Sequence, residues 1–249
     1  PRALGGEGTR PAPAMAVTAH PLATRAALDM LAKGGTPVDA AIAAQMVLGL
    51  VEPQSSGIGG GTLVMLWDEK ARKLSSWDGL AAAPARATAS LRTEVDGKLL
   101  PGGEPLSRSG RAVGVPGTLP VLRAVHERHG RLPWADLFAP AIAHAEAGFP
   151  IPKYLHGILA QPDGAANHAE WRSLYFDGEG RPLPVGTIVR NPAYAKTMQA
   201  IATQGPAAWL AGEGARAIVA AARRGLRSTL MTEQDLRDYV SAGAVEPLD

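Results

Sequence analysis

The amino-acid sequence predicts a helix-rich globular fold of mixed α and β structure, and three observations lead to this expectation. Long segments repeat apolar residues with helical spacing, and short apolar runs typical of strands cluster before residue 80. Such periodic patterns are the primary sequence signals of the two structures. Hydrophobic residues make up 46% of the 249 residues and charged ones 19%, which is the composition of a chain that buries a full core.

The clearest local pattern predicts a buried helix that starts at Thr36. Thr36 can cap the helix, Pro37 suits its first turn, and Asp39 stands where a capping-box carboxylate reaches back to the cap. The residues that follow are apolar on nearly every side, which indicates a helix surrounded by other parts of the protein. Because proline cannot continue a helix, we expect this one to end at Glu52 and Pro53.

The remaining elements follow from the same kinds of signal. Strands are expected at 14–19, 62–67 and 73–77, the last two forming a hairpin after a glycine-rich turn at 57–61. Further helices are expected at 21–33, 118–129, 134–147, 192–203, 206–212, 215–224 and 233–239. Residues 1–13 have the composition of a poorly ordered arm, 93–111 that of a long loop or lid, and 241–249 show no clear period.

Composition excludes several classes of function. The net charge is only +2 and no run of Lys and Arg occurs, so we expect no nucleic-acid partner. The absence of cysteine excludes disulfides, thiol catalysis and Cys-ligated metals. No apolar run reaches the roughly 18–20 residues that span a bilayer. The chain begins at Pro1 without a signal-peptide pattern, which indicates processing or trimming and leaves periplasmic, secreted and cytoplasmic locations open.

The glycines, histidines and serines of the chain, which are common in catalytic and binding sites, form no recognisable site by sequence pattern alone. The glycine run at 57–61 lacks the Lys-Ser/Thr of a phosphate loop and precedes a strand, so tight backbone packing is the favoured interpretation. His126 and His129 could share a metal, but without a third ligand a solvent-facing pair is favoured. Ser55 and Ser56 have no partner His or Asp that can be placed. The residues alone therefore predict no metal and no cofactor.

Several long segments of the chain occur in a distinctive order and spacing. They are AHPLATRAALDMLAKGGTPVDAAIAAQMVLGLVEPQSSGIGGG, VGVPGTLPVL, LPWADLFAPAIAHAEAGFPI, NPAYAKTMQAIATQGPAAWLAGEGARAIVAA and MTEQDLRDYV. Together they resemble the gamma-glutamyltranspeptidase family, specifically its large subunit, from Ala19 to about Pro247. Because several independent segments match, the resemblance is more specific than any single short motif.

The resemblance implies an α+β fold of the N-terminal nucleophile hydrolase class, an αββα sandwich whose two stacked sheets lie between helical layers. In that family a precursor cuts itself into two subunits that form a heterodimer, and the small subunit begins with a threonine. Its hydroxyl attacks a small-molecule amide while its own α-amine serves as the base. The usual acyl group is γ-glutamyl, as in glutathione. Residues 14–249 are then the large-subunit part of a single domain that a second chain completes.

The chain departs from the family pattern at the nucleophile. None of its threonines stands in the sequence context of the catalytic threonine, and the matching region stops before the family's cleavage site. We therefore expect no catalytic residue in this chain, a threonine supplied by the small subunit as partner, and no activity of the 249-residue chain by itself.

A second departure concerns the residues expected to bind substrate: Asp78, Gly79, Leu80 and Ala81. In the family an arginine follows the second strand at this place and grips the α-carboxylate of the γ-glutamyl group. Here Leu80 occupies the arginine position and Ala81 the position of the following glutamate. A bidentate contact between arginine and carboxylate contributes about 1.5–3 kcal/mol, none of which leucine supplies.

Three interpretations of function stay open on this sequence. Another arginine, with Arg86 and Arg108 as candidates, could hold a γ-glutamyl group. Alternatively the acyl group is not γ-glutamyl, as in the cephalosporin-acylase-like relatives of the fold, and a neutral or apolar group suits Leu80 better. The third interpretation is a binding protein that kept the fold and lost catalysis.

Overall fold

The computed structural model describes residues 14–88, 91, 94–95, 98–99, 109–161, 169–224, 228–239 and 242–245. Helices dominate these ranges, as the sequence predicts. They are α1 Pro21–Ala32, α2 Pro37–Val51, α3 Thr118–His129, α4 Ala139–Ala147, α5 Lys153–Leu159, α6 Ala169–Tyr175, α7 Pro192–Gln204, α8 Ala207–Leu210, α9 Gly212–Arg223 and α10 Glu233–Asp238. A 3₁₀ segment, Trp134–Phe138, precedes α4.

The strands form one larger sheet and two short ladders within the described ranges. They are β1 Thr62–Asp68, β2 Lys73–Gly79, β3 Glu94–Val95, β4 Lys98–Leu99, β5 Phe149–Pro150, β6 Ile188–Val189 and β7 Ala242–Val245. The larger sheet is antiparallel in the order β1-β2-β7, and the short ladders pair β3 with β4 and β5 with β6. The predicted hairpin is confirmed, with Thr62 opposite Gly79 and Asp68 opposite Lys73.

Helix α2 forms the centre of the main hydrophobic core. Its predicted start is confirmed, because Thr36 and Asp39 form the reciprocal capping box and Pro37 occupies the first turn. Burial is not complete around the helix, however: Ala41 is exposed and Gln45 is half-buried. These residues line a groove of about 510 Å³ between α1, α2 and the extended residues 14–18.

The expected first strand at 14–19 is wrong as a strand. Residues 14–18 have no regular secondary structure, and within the described ranges no other segment pairs with them. Met15 and Val17 each expose 83% of their surface. An apolar run of this length satisfies the sequence signal for a strand, but a ladder also needs a neighbouring strand with free backbone groups.

The carboxylate of Asp39 joins three parts of the scaffold and is completely buried. Its Oδ2 accepts hydrogen bonds from the backbone N–H of Thr36 at 2.7 Å, of Arg131 at 3.1 Å and of Leu132 at 3.3 Å. The guanidinium of Arg131 in turn donates to the carbonyl of Gly34 at 2.9 Å. The turn between α1 and α2 is thereby fixed to the loop that follows α3.

The two histidines of α3 belong to this scaffold, so the expectation of a solvent-facing pair is wrong. Nε2 of His126 lies 2.9 Å from the carbonyl oxygen of Leu132 and 3.5 Å from Oδ1 of Asp39. The His129 ring stands edge-on to buried Trp77, with ring centroids 6.0 Å apart. Among the residues that the structure describes, no group of three or more His, Asp or Glu side chains could hold a metal ion.

The C-terminal region contains a strand that sequence periodicity does not reveal. In β7, Ala242 pairs with Asp78 and Val245 with Ser76, with a shift in register between them. The sequence of β7 is Ala-Gly-Ala-Val, which is too short and too small to produce an alternating pattern.

Two further expectations fall largely outside the described ranges. Residues 1–13 lie outside them, and so does most of the predicted lid at 93–111, apart from β3, β4 and a 3₁₀ turn at Gly110–Ala112. Within the described ranges, no helix combines the length and the apolar character that crossing a bilayer requires.

We predict that replacing Asp39 by alanine strongly destabilises the protein. The substitution removes the fully buried carboxylate that accepts the N–H groups of Thr36, Arg131 and Leu132, and each hydrogen bond to a charged group contributes about 1.5–3 kcal/mol. The free energy of unfolding, measured in urea, is expected to fall by at least about 3 kcal/mol. Asp29→Ala is the control, because Asp29 forms only an exposed ion pair within α1 and its loss costs about 0.5 kcal/mol. Equal losses in the two variants would contradict the role of Asp39.

Candidate functional site

The predicted substrate-binding residues lie together where β2 ends. Thr62 pairs with Gly79, so this end of β2 lies beside the start of β1 and the glycine-rich turn. Asp78, Leu80 and Ala81 are exposed, and Leu80 exposes 53% of its surface. Oδ1 of Asp78 accepts the backbone N–H of Leu80 at 2.8 Å and so stabilises the turn out of the strand. We call residues 78–81 the presented segment.

The glycine-rich turn packs backbone to backbone against the presented segment. A Cβ added to Gly61 would lie 2.6 Å from Cα of Leu80 and 2.7 Å from the nitrogen of Ala81, closer than real Cβ contacts. The packing interpretation of the glycines is thus confirmed at Gly61. It is wrong at Gly57 and Gly60, where an added Cβ would meet no described atom within 4 Å.

The start of α3 fixes the other side of the turn. The backbone N–H groups of Gly117 and Thr118 donate to the carbonyl of Gly60 at 3.0 and 3.3 Å. The hydroxyls of Thr62 and Thr118 lie 3.0 Å apart and share a hydrogen bond. Gly79 is buried against α3, where an added Cβ would overlap the side chain of Val121. The turn, the hairpin and α3 therefore meet closely at Gly61, Gly79 and Gly117, where no space remains for a larger residue.

The presented segment is also held by α10 and the residue that follows it. The hydroxyl of Tyr239 donates to the carbonyl of Leu80 at 2.7 Å. Oδ1 of Asp235 accepts the backbone N–H of Ala85 at 2.7 Å, while its Oδ2 completes a capping box with Thr232. Burial alone would raise the pKa of Asp235, but hydrogen bonds from Thr232 and Ala85 outweigh it and lower that pKa.

The chain beyond Ala81 is fixed by a short bridge. The N–H of Ala82 donates to the carbonyl of Val115 at 3.1 Å, and the N–H of Val115 donates back to Ala82 at 2.8 Å. Of the two arginines considered as substitutes for the family's arginine, Arg86 is exposed just beyond this bridge. Arg108 lies outside the described residues.

A cleft of about 490 Å³ opens beside the presented segment. Its lining consists of the glycine-rich turn with neighbouring polar residues: Gln45, Pro53, Ser55, Ser56, Gly57, Gly59, Gly60, Gly61 and Thr62. The backbone N–H groups of Ser55 and Ser56 donate to the carbonyl of Glu52 at the end of α2. The buried helix therefore leads directly into the wall of this cleft.

One face of β1 is apolar and exposed. Leu63, Met65 and Trp67 alternate along the strand and expose 64%, 71% and 48% of their surfaces, whereas Val64 and Leu66 point toward the core. An apolar stripe of this kind on a strand is typical of a face that packs against another layer. We call Leu63, Met65 and Trp67 the β1 stripe.

Sequence reasoning found the presented segment but not the residues that hold it. The contact of Asp235 with Ala85 spans 150 positions and leaves no local signal. The same holds for Tyr239, which lies 159 positions from Leu80. Gly117 has no local signal for its role either, although an added Cβ there would overlap Tyr239 and Gly79.

Solved structures of similar fold include gamma-glutamyltranspeptidase from Helicobacter pylori, with a TM-score of 0.84 and 26% identity, covering 94% of this chain and 66% of that one. Cephalosporin acylase from Bacillus halodurans has a TM-score of 0.76 and 28% identity, covering 99% of this chain and 47% of that one. The predicted fold class is confirmed: this is the helix-rich large-subunit portion of an N-terminal nucleophile hydrolase sandwich.

Sequence comparison gives the family. A model described as gamma-glutamyltranspeptidase matches residues 23–248, and the chain belongs to this family. Glutathione hydrolase proenzyme of Bacillus subtilis (strain 168) is 35% identical over 225 residues, covering 90% of this chain and 38% of that protein. Glutathione hydrolase 5 proenzyme of Mus musculus is 34% identical over 224 residues, covering 88% of this chain and 37% of that protein. The chain thus spans less than two fifths of the length of these relatives.

We predict that Gly61→Ala displaces the presented segment whereas Gly60→Ala does not. The added methyl group at Gly61 overlaps the backbone of Leu80 and Ala81, and overpacking of this kind costs about 1–3 kcal/mol. The neighbouring Gly60 offers open space and keeps its carbonyl acceptor when substituted. Thermal denaturation and amide hydrogen exchange over residues 78–85 provide the measurements. Equal effects of the two substitutions would overturn the packing argument.

Proposed function

We propose that this chain is the large-subunit part of an amide hydrolase or acyltransferase of the N-terminal nucleophile class, acting on γ-glutamyl or related amide bonds. The observation that carries the proposal is the presented segment, in which Asp78, Leu80 and Ala81 are exposed while the backbone is held by the glycine-rich turn, α3 and Tyr239. The names of the relatives, glutathione hydrolases and an acylase, agree with this class of reaction.

In this mechanism the chain binds and orients the acyl group, and the partner chain supplies the reacting groups. A threonine hydroxyl at the partner's N-terminus attacks the amide carbonyl, and the α-amine of the same residue takes the hydroxyl proton. The amine of the substrate leaves, and water or an amino-group acceptor then releases the acyl group from the threonine. The presented segment contributes by holding the acyl group in place during both steps.

The proposed partner is a small subunit that begins with the nucleophilic threonine. The name proenzyme, given to several relatives, agrees with a precursor that is cut into parts. The β1 stripe supports the same partner, since an exposed apolar strand face stabilises the protein only when another layer covers it. We propose that the sheet of the small subunit occupies this face.

Leu80 favours a second candidate within the same class, an amide whose acyl group carries no α-carboxylate. An exposed leucine offers a substrate apolar contact and cannot pair with an anion. Cephalosporin acylase from Bacillus halodurans, which aligns with 99% of this chain, is a relative named for a different acyl substrate. A neutral or apolar acyl group would suit this position better than γ-glutamate.

We predict that Leu80→Arg raises the turnover of a γ-glutamyl anilide by the assembled two-chain protein. A guanidinium at this position can pair with the α-carboxylate, and the gain of about 1.5–3 kcal/mol corresponds to roughly 10- to 100-fold in kcat/KM. Release of the coloured aniline is the measurement. Leu80→Gln is the control, because it adds polarity without charge and should leave kcat/KM near the wild-type value.

The outcomes of this experiment separate the candidates. A wild-type enzyme that prefers a neutral acyl anilide, and gains γ-glutamyl activity with Leu80→Arg, fits the second candidate. High γ-glutamyl activity that Leu80→Arg leaves unchanged would mean that another residue binds the carboxylate. An assembled protein that cleaves neither class of anilide contradicts the proposed catalysis and leaves the binding-protein interpretation.

We further predict that Met65→Glu prevents association with the small subunit. A carboxylate in the middle of the β1 stripe must lose its hydration when the face is covered, which costs several kcal/mol. Mass spectrometry of the purified assembly should show a second chain beginning with threonine in the wild-type protein and its loss in the variant. Lys70→Glu, in the exposed turn of the hairpin, is the control. Assembly of Met65→Glu at wild-type yield would place the partner elsewhere.

A further inference from the structure

We propose that Tyr239 is the positioning residue of the substrate site, and that α10 is the element that holds it. The inference rests on the proposed function, because it identifies what fixes the direction in which Leu80 faces a bound acyl group. Tyr239 lies 159 positions from Leu80 along the chain, so the contact between them is made only by the tertiary fold.

Both polar backbone groups of Leu80 are occupied. Its carbonyl oxygen accepts the hydroxyl proton of Tyr239 at 2.7 Å, and its N–H donates to Oδ1 of Asp78 at 2.8 Å. These two hydrogen bonds fix the peptide planes on either side of the Leu80 Cα. Since the side chain leaves from that Cα, fixing the planes also fixes the direction of the Cα–Cβ bond from which the exposed side chain extends.

The Tyr239 hydroxyl is closely packed against neighbouring backbone. On one side Gly117 approaches so closely that an added Cβ would overlap both the hydroxyl oxygen and the carbonyl of Gly79. A Cβ added to Gly61 would likewise lie only 2.6 Å from Cα of Leu80, so this glycine packs closely against the presented segment. Burial, with a smaller contribution from Asp78, raises the pKa of Tyr239, so the phenol keeps the proton that it donates.

Helix α10 makes the tyrosine rigid. Tyr239 directly follows the helix, whose start is fixed by the capping box of Thr232 and Asp235. Asp235 also accepts the N–H of Ala85 at 2.7 Å, so one short helix holds both ends of the stretch 80–85. Leu236, on the same helix, is buried in the smaller hydrophobic cluster, which also contains Val115. The helix therefore cannot shift without breaking this cluster.

We expect Tyr239→Phe to raise the KM for the acyl donor five- to tenfold in the assembled protein, with kcat changed less than twofold. The presented segment holds substrate but carries no reacting group, so a loosened segment weakens ground-state and transition-state binding equally. The substitution removes one oxygen atom and keeps the aromatic ring in place.

Tyr194→Phe is the matched control. The hydroxyl of Tyr194 donates to the carbonyl of Met46, also at 2.7 Å, and joins α7 to α2 instead of binding the presented segment. Both variants therefore lose the same atom and the same type of hydrogen bond, from a tyrosine hydroxyl to a backbone carbonyl. A structural role predicts a lower melting temperature with unchanged KM for this variant. Equal KM values in Tyr239→Phe and wild type, or equal increases in both variants, would overturn the inference.

Amide hydrogen exchange tests the inference without any turnover. In the assembled protein, Tyr239→Phe should increase exchange in peptides covering residues 78–85 by at least tenfold, whereas Tyr194→Phe should leave them unchanged. An assembled wild-type protein that cleaves no amide would contradict the proposed function, and exchange would still decide the role of Tyr239. Unchanged exchange in Tyr239→Phe would overturn the inference whatever the activity.

Discussion

The scaffold depends on a carboxylate that is completely removed from water. Asp39 retains its place in the core because backbone N–H groups from two separate parts of the chain donate to it. One group of donors belongs to the start of its own helix, and the other to the loop after α3. These hydrogen bonds fix the arrangement of the start of α2 relative to the loop after α3. The packing of α1 and α3 against α2 then follows from that arrangement, and the core of small and branched side chains fills around it.

The same scaffold extends to the site through a series of close backbone contacts. Helix α2 ends at Val51, and the chain then turns through the glycines that line the cleft. Gly61 touches the presented segment from one side, and α3 and α10 reach it from the others. Its first two residues end β2 and its last two lie beyond the strand, yet contacts with the glycine-rich turn, α3 and Tyr239 restrict its conformations. Rigid support of this kind is what a binding site on a loop requires.

Much of the fold could be predicted from local signals, and the reason is visible at particular residues. Thr36, Pro37 and Asp39 act within one helical turn, so the sequence reveals both the helix and its start. The second role of Asp39, as acceptor for the loop at Arg131, involves residues 92 positions away and gives no local pattern. The expectation of a solvent-facing His126 is wrong for the same reason, because Asp39, which lies 3.5 Å from its Nε2, belongs to a distant part of the chain.

The candidate site also contains both residues that could be predicted from the sequence and residues that could not. The presented segment could be located only through a family resemblance, since nothing in the composition of Asp78 to Ala81 suggests binding. Tyr239 and the strand β7 were not anticipated at all: the first acts at long range, and the second is too short and small to show a period. Local sequence patterns therefore predict most of the longer helices and strands, but they do not predict contacts between residues that are distant in the chain.

The β1 stripe has a consequence for how such a protein is made. In the part of the chain that the structure describes, β1 is an outer strand of the three-stranded sheet. One of its faces is also apolar and exposed. The unpaired backbone groups of an exposed edge strand can form hydrogen bonds with an unrelated chain when the native neighbour is absent. A precursor that carries both future subunits on one polypeptide keeps the covering layer tethered nearby, at an effective concentration of about millimolar. If the proposed partner covers this stripe, folding before cleavage lets each large subunit bind its own small subunit. The exposed edge then has less opportunity to pair with another chain.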